Sequence, residues 1–322
     1  MMVRGQFAQL MAPGLHGKFV HWLDLLLRDE EYSHILNQET STKAFEDEVE
    51  FSGLGPMPQK DEGVGVVYQD AIQGGSKRYI HFTYALGVRT SFELYEDDQY
   101  NLIMQVPKAL ARSAHFTKEQ QAFNLFNNGF ISAGTAGAVV TTDGVSLFNT
   151  AHPLLGGIAA TNIGPGLSSV INAAGTFPNR PSVDIDLSIT ALVSAINSFE
   201  RLVDSQGLPV VLKPRYLLIP PELKWIAREI LGSPHKPYTA DNEINALIKE
   251  DLQYFVGHYL TSASAWFMLC DKESHQLKFM NRKDLDEDFG DDFDTRSIKQ
   301  ISFMRFSVGA TGWMGTYGSN GP

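Results

Sequence analysis

The chain has 322 residues, 43% hydrophobic and 20% charged, with a formal net charge of -11. That composition suits a folded protein able to bury one large core or two linked ones, and it excludes a disordered or fibrous chain. The acid excess argues against a surface built to grip phosphate, because nucleic-acid binders carry a clustered basic footprint; an acidic protein can still enclose DNA without binding it.

The opening, MMVRGQFAQLMAPGLHGKFVHWL, has no continuous apolar stretch and no small-residue cleavage pattern, so no secretory signal is expected. Residues 129–140, the longest weakly polar run, are too few and too glycine-rich to span a bilayer, and a soluble protein is expected. The single cysteine, Cys270, excludes an intramolecular disulfide and fits a reducing compartment.

Behind Pro13 and Gly14, the apolar residues Leu15, Phe19, Trp22, Leu23, Leu26 and Leu27 fall at helical intervals and predict an amphipathic helix over residues 15–36. Residues 37–63 are polar and broken by Gly53, Gly55, Pro56 and Pro58, which reads as an extended arm or linker. Two β-rich runs then flank Gln73, Gly74, Gly75 and Ser76. Glycine accepts positive φ, so this reads as the turn of a long hairpin. On its return strand Ile80, Phe82 and Tyr84 alternate with Tyr79, His81 and Thr83; so long a ribbon should lie against something else, another chain included.

Residues 93–128 are helix-like, with Glu93, Glu96, Asp97 and Asp98 at the start, Lys108 and Arg112 further along, and Gly129 as the expected C-cap. Such a helix of about 36 residues would reach about 54 Å, and Pro107 should kink or divide it. Residues 131–182 are rich in small and polar side chains, with AVVTTDGVSLF predicting a hairpin about Asp143 and Gly144. GPGLSS, residues 164–169, lacks the third glycine of a dinucleotide fingerprint and the Lys-Ser/Thr of a phosphate loop, and Pro165 removes a backbone donor; it reads as a plain loop.

Past Pro181 the pattern becomes α/β. Leu187, Ala191, Ile196, Phe199 and Leu202 mark a helix closed by Gly207, LPVVLKPRYLLIP gives a strand, and Pro221 opens the helix PELKWIAREIL. LQYFVG and AWFMLC are predicted strands, and the closing SIKQISFMRFSVGATGWMGTYGSN returns to strands, with Met304, Phe306 and Val308 alternating against Phe303 and Arg305. No internal repeat recurs at a fixed period.

A hydrolase would have to use His152 or Cys270. No G-x-S-x-G elbow accompanies them, and Cys270 ends the apolar run AWFMLC, where a small buried hydrophobe fits. The nine histidines form no H-E-x-x-H or H-x-x-E-H cluster, so no zinc site is expected. His152 precedes Pro153, which holds its backbone extended and suits a residue that fixes a loop by a hydrogen bond. The carboxylates from Asp284 to Asp294 alternate but lack the spacing of a calcium loop, so they read as a solvated acidic turn rather than a cation site. No catalytic, cofactor-binding or metal residue is therefore assigned, and no cofactor. Lys77, Arg78 and Arg89 bracket the hairpin, while acids crowd residues 45–50 and the start of the long helix. Opposite charges on projecting pieces suit contacts between neighbouring copies.

The phrases FNTAHPLL, KPRYLLIPPELKWIAREIL, PYTADNEIN and SVGATGWMGTYGSNG, in that order, resemble the tailed-phage HK97-type major capsid proteins, and within them the Mu-like (gpT-like) major head subunits. The resemblance implies an α+β, HK97-type fold: an N-terminal arm (1–50), an extended β-hairpin E-loop (51–92), a P-domain with its spine helix (93–149), a mainly axial α/β A-domain (150–270) and strands returning to the P-domain (271–322). It implies a structural protein, not an enzyme: a major head protein self-assembling as hexamers and pentamers into an icosahedral shell around double-stranded DNA. Implied partners are further copies of itself, a separate scaffolding protein, a portal and decoration proteins, with no membrane, and the implied location is the virion, assembled in the bacterial cytoplasm. Lys77 and Asn320 match no crosslinking motif, so no isopeptide bond is expected. An encapsulin-like protein compartment is the alternative within this fold. Physics points the same way, because an arm, a ribbon and a long helix expose apolar faces that neighbouring copies would bury.

Overall fold

The computed structural model describes residues 7–27, 30–51, 53–71, 73–91, 93–94, 97, 103–154, 176–204, 208–236, 243–292, 294–295 and 297–322. These elements fall into two compact units. The first takes residues 1–46, 79–122 and 279–308, and the second 47–78, 123–278 and 309–322.

In the first unit, helix α1 (Phe7–Leu27) is followed by a short helix α2 (Tyr32–Ile35) and strand β1 (Asn37–Thr40). Strands β2 (Phe45–Phe51) and β3 (Gln73–Ile80) straddle the division, and β4 (Phe82–Ser91) and helix α3 (Val106–Asn127) come next. Phe19 of α1 is buried against Leu110 and Ala111 of α3, with Trp22, Leu23 and Leu26 packed around them as the predicted helical stripe requires. Late in the chain, β10 (Leu277–Asp292) and β11 (Ser297–Ala310) complete a sheet of order β1-β10-β11-β4. β11 and β4 are antiparallel, in register from Ser297 opposite Ser91 to Phe306 opposite Phe82. Rings bind this sheet together: Tyr84 stacks on Phe306 at 4.7 Å, Phe306 on Phe279 at 5.0 Å, and Phe279 on Tyr32 at 4.5 Å.

Several expectations are corrected here. Helix α1 begins at Phe7 and runs through Pro13 and Gly14, since a proline removes one hydrogen bond and the turns on either side hold the rest. The stretch read as a linker contains β1 and β2. Gln73, Gly74, Gly75 and Ser76 form no turn: they lie within β3, which pairs with β2, and residues 64–71 before them form no strand, so the two runs on either side of the glycines are not paired as a hairpin. A Cβ at Gly75 would stand 1.9 Å from the Thr142 carbonyl oxygen, so the glycine serves close backbone approach rather than positive φ. The predicted helix is divided beside Pro107: a 3₁₀ turn (Ile103–Gln105) ends there and α3 begins at Val106. Pro107 sits in the first turn of α3, where its missing N–H costs nothing, and the 22-residue helix is about 33 Å long. The start of the predicted longer helix falls mostly outside the described residues.

The acidic run expected as a turn is the second half of strand β10. Its carboxylates are engaged by side chains across the sheet and along the strand: Lys299 Nζ donates to Asp292 at 2.9 Å, Lys283 pairs with Asp286 at 2.9 Å, and Asn281 donates to Asp284. Hydrogen bonds from Lys299 and Thr295 draw the Asp292 carboxyl down to about 2. No group of three metal-ligating side chains occurs among the described residues.

One buried group in this unit has a pH consequence. Glu119, fully buried on α3, accepts from the Glu31 amide at 2.7 Å and the Tyr32 amide at 3.2 Å, and so caps the first turn of α2. Burial pushes its carboxyl up from 4.5 to about 8, against the pull of those two amides. A raised carboxyl keeps a proton in the folded chain that the unfolded chain releases, so stability falls as pH rises from 4.5 to about 8. Glu119→Gln keeps the acceptor and removes the charge. It should flatten urea-unfolding stability across that window, where the native chain loses on the order of 5 kcal/mol.

The second unit begins with β2 and β3, joined through the Asp47–Arg78 pair at 2.7 Å. Residues 139–147 form the predicted hairpin: Val140 bridges Ser146, and Gly144 takes φ +80°. A two-stranded ladder of β5 (His152–Pro153) and β6 (Thr176–Phe177) follows. Helix α4 (Ile189–Glu200) is capped by Ser188, whose hydroxyl accepts from the Ala191 amide at 3.2 Å. Strand β7 (Pro214–Ile219), helix α5 (Lys224–Gly232, entered through Pro221), β8 (Gln253–Val256), β9 (Trp266–Cys270) and β12 (Thr316–Ser319) complete a sheet of order β12-β9-β7-β8. β7 runs antiparallel to β9 and parallel to β8, and β12 is antiparallel to β9. Every residue of β9 is buried, which is why its run is continuously apolar rather than alternating. Leu192, Ala195, Ile196 and Phe199 of α4 pack on Leu217, Ile219, Trp266 and Met268.

A second cluster in this unit is aromatic. Phe267 lies 5.2 Å from Phe126, 5.6 Å from Phe130 and 5.2 Å from Phe148 between ring centroids. Glycines make room for these rings: a Cβ at Gly129 would meet Phe148 at 2.6 Å, and one at Gly318 would meet Phe148 at 2.9 Å and Phe267 at 3.0 Å. Gly129, expected as a helix C-cap, has no positive φ and is instead a seat for a phenyl ring.

Candidate functional site

His152, the first residue of β5, is fully buried. Its Nδ1 lies 2.6 Å from Asp143 Oδ2 and its Nε2 3.1 Å from Asn179 Oδ1, while its ring stacks on Trp313 at 4.5 Å and 17°. Asp143 reaches it from the 139–147 hairpin, where the same carboxylate accepts from the Val145 amide at 3.0 Å and from the Thr141 hydroxyl. Burial alone would raise the Asp143 carboxyl, but hydrogen bonds from His152, Thr141 and Val145 outweigh it and hold the group below its ordinary value. Asn179 completes the arrangement by donating to the Leu147 carbonyl at 2.7 Å and accepting from the Asn149 amide at 2.8 Å.

This geometry resembles the histidine–acid half of a catalytic triad without the rest. Both ring nitrogens are already occupied, by Asp143 and Asn179, so neither is offered to a nucleophile or substrate. Three segments distant in sequence meet at the ring: the hairpin, the β5–β6 ladder and the residues before β12. His152 is a joint, as the His-Pro pair suggested; Asp143, Asn179 and Trp313 are the partners that no local spacing announced.

Cys270 is the last residue of β9 and buried; burial first, then the neighbouring Asp271, pushes its thiol up to about 12. A nucleophilic cysteine needs the opposite shift. Iodoacetamide at pH 8 should leave Cys270 unlabelled in the native chain and label it fully in urea, as intact-mass spectrometry would show.

A cleft of about 450 Å³ opens beside Trp313 and Leu154, lined also by Glu48, Glu50, Asp204 and Lys278. Glu48 is held by Lys278 and Thr311, and Glu50 accepts from Thr142 at 2.8 Å, so its acids already serve the fold. Its lining includes neither histidine nor cysteine.

Lys77 Nζ donates to the Val140 carbonyl at 2.6 Å and is largely buried, which lowers its pKa. The Asn320 amide donates to Asp184 at 3.3 Å. Arg78 pairs with Asp47 of its own chain, and Arg89 with Asp292, so these charges, expected to meet neighbouring copies, are engaged within the subunit. The GPGLSS loop lies outside the described residues. No helix among the described residues is long and apolar enough to cross a membrane.

Large apolar side chains stand in solvent instead. Phe51, Leu54, Met57, Val64, Val66, Val67 and Tyr68 are all exposed, Met57 at 99% and Tyr68 at 92%, and residues 53–71 form no strand or helix. Phe82, Leu86 and Ile301 are exposed along the β4 side of the other unit's sheet, where β4 is an edge strand, and Ile80 at the end of β3 is exposed too. Runs of this kind mark surfaces made to be covered.

A family model described as phage capsid protein matches residues 77–318 of this sequence. The chain belongs to the phage capsid protein family. Solved structures share its fold: the capsid of cyanophage P-SCSP1u (TM-score 0.55, 11% identity, covering 89% of this chain and 86% of that one), a structure from Mycobacterium phage Adephagia (0.51, 12%, 88% and 87%) and the capsid of the native GTA particle (0.51, 10%, 89% and 88%). No curated protein matches. The α+β capsid fold expected from the sequence is thereby established, and with it the role of a major capsid subunit that builds a shell from copies of itself.

Proposed function

We propose that this capsid chain assembles as hexamers and pentamers into an icosahedral shell around double-stranded DNA, with a scaffolding protein and a portal as assembly partners in the bacterial cytoplasm. The observation that carries this reading is the exposed apolar stretch from Phe51 to Tyr68, which a lone subunit leaves in water and a lattice of copies would cover. In this reading residues 1–50 act as the arm, 51–92 as the E-loop, 93–149 as the P-domain, 150–270 as mainly the A-domain and 271–322 as the returning strands. A net charge of -11 favours an inner wall along which packaged DNA slides rather than sticks.

No step of this function is chemical. Closed joints such as the one at His152 keep the subunit rigid, so that many modest interfaces add up across the shell. Electron microscopy and gel filtration of the full chain, produced with its scaffold, should show closed particles containing nucleic acid. Compact monomers under every condition would overturn the shell, and particles filled with protein cargo would convert the reading to a protein compartment.

A further inference from the structure

Two segments of this chain each supply one side of a β-ladder. The first is VGVVYQDA, residues 64–71. Its β-branched and aromatic side chains prefer a strand, yet residues 53–71 form no strand or helix. Val64, Val66, Val67 and Tyr68 are 58%, 61%, 69% and 92% exposed. The chain turns just before them: Gly63 takes φ +81°, and the Val64 amide donates to the Asp61 carbonyl at 3.3 Å. An extended segment cannot pair its own backbone groups, so its strand preference is expressed only beside the edge of another strand.

The second is the open side of β4. All ten of its residues face β11 in one unbroken register, and no strand lies on its other side among the described residues. Edges of this length are ordinarily blunted by proline, a bulge or several charges. β4 contains no proline, shows no bulge against β11, and has Arg89 as its one charged residue. Phe82 and Leu86, four residues apart and so on one face, are 59% and 50% exposed.

We propose that residues 64–71 of one copy add to the open edge of β4 in a second copy, as a fifth strand of the β1-β10-β11-β4 sheet. This rests on the shell reading above and names the contact that covers the exposed stretch. A second copy is the fitting occupant because every copy carries one such segment and one such edge, so a single repeated contact satisfies both. The outward N–H and C=O groups of β4 gain partners from the incoming backbone at alternate positions. With a period of two, Val64, Val66 and Tyr68 share a face, and a register that lays them beside Phe82 and Leu86 buries apolar side chains of both copies together. Ordering eight residues costs conformational entropy, so one such contact is weak and the shell holds by repeating it.

The test is hydrogen–deuterium exchange, read by mass spectrometry, on the full chain as free subunits and as particles produced with the scaffold. In particles, the amides of residues 64–71 and the outward half of those in 82–91 should exchange about tenfold or more slowly than in free subunits. Particles in which either segment exchanges as it does in the free subunit overturn the proposal and leave the shell standing. Adjacent strand residues point their N–H groups to opposite sides, so one of Val66→Pro and Val67→Pro removes a bond to β4. That variant should form no particles, while Val66→Thr and Val67→Thr, which keep the N–H, should assemble; proline and threonine variants that behave alike overturn the proposal. If the native chain forms no particles the shell reading falls, and strand addition is then decided with a synthetic peptide of residues 61–71 added to the full chain. Slowed exchange across 82–91 supports it, and unchanged exchange at millimolar peptide overturns it.

Discussion

Aspartate at both Val67 and Tyr68 should abolish shell formation and leave the subunit folded. The two side chains are 69% and 92% exposed, and residues 53–71 form no regular structure, so the fold of one subunit gains little from them. If neighbouring copies cover this stretch, each substitution buries an unpaired carboxylate at every equivalent contact, at a cost of several kcal/mol apiece. The multiplicity of a closed shell turns that into an all-or-none effect. Circular dichroism and thermal unfolding should match the native chain, while light scattering and micrographs should show no particles. Normal particles from the double variant would remove this stretch from the assembly surface.

The second large effect concerns the interior. Phe267→Ala should cost about 4 kcal/mol in urea unfolding, because a fully buried ring among Phe126, Phe130 and Phe148 leaves a cavity that three rigid neighbours cannot close. Val211→Ala, at a residue 80% exposed, should change stability by no more than about 0.5 kcal/mol and serves as the control. An equal effect at both positions would show that the aromatic cluster does not hold this unit together.

What could be read in the sequence follows a physical line. Helices α4 and α5 and strands β7 and β9 were legible because each buries a regular face or a continuous run in a single core, and periodicity reports that directly. Glycine misled where it had two possible reasons. Asp143 and Gly144 do form a turn, but Gly75 and Gly129 exist for what lies against them, a carbonyl in one case and a ring in the other. The acidic half of β10 looked like a turn because charge clusters are commonly solvated loops. Its charges are answered in part across the sheet, by Lys299 on β11, and no local pattern shows a partner on another strand. His152 was legible as a joint from the proline behind it. Glu119 was not legible at all, since nothing in a helix sequence tells a buried cap for a helix 87 residues away from an ordinary surface acid.

The rings seated on glycines bear on how such a chain can vary. This capsid shares its fold with solved structures at 10–12% identity, so lineages keep the shape while exchanging nearly every residue. At Phe148, Gly129 and Gly318 such exchange cannot proceed one residue at a time. Any side chain at either glycine strikes the ring, and shrinking the ring opens a void beside both. A smaller residue at 148 relieves only one of these contacts: a Cβ at Gly129 still meets the Leu125 carbonyl oxygen at 2.7 Å, and one at Gly318 still meets Phe267 at 3.0 Å. Both glycines should therefore persist even where the ring at 148 is exchanged, and Gly318 should vary only together with both rings.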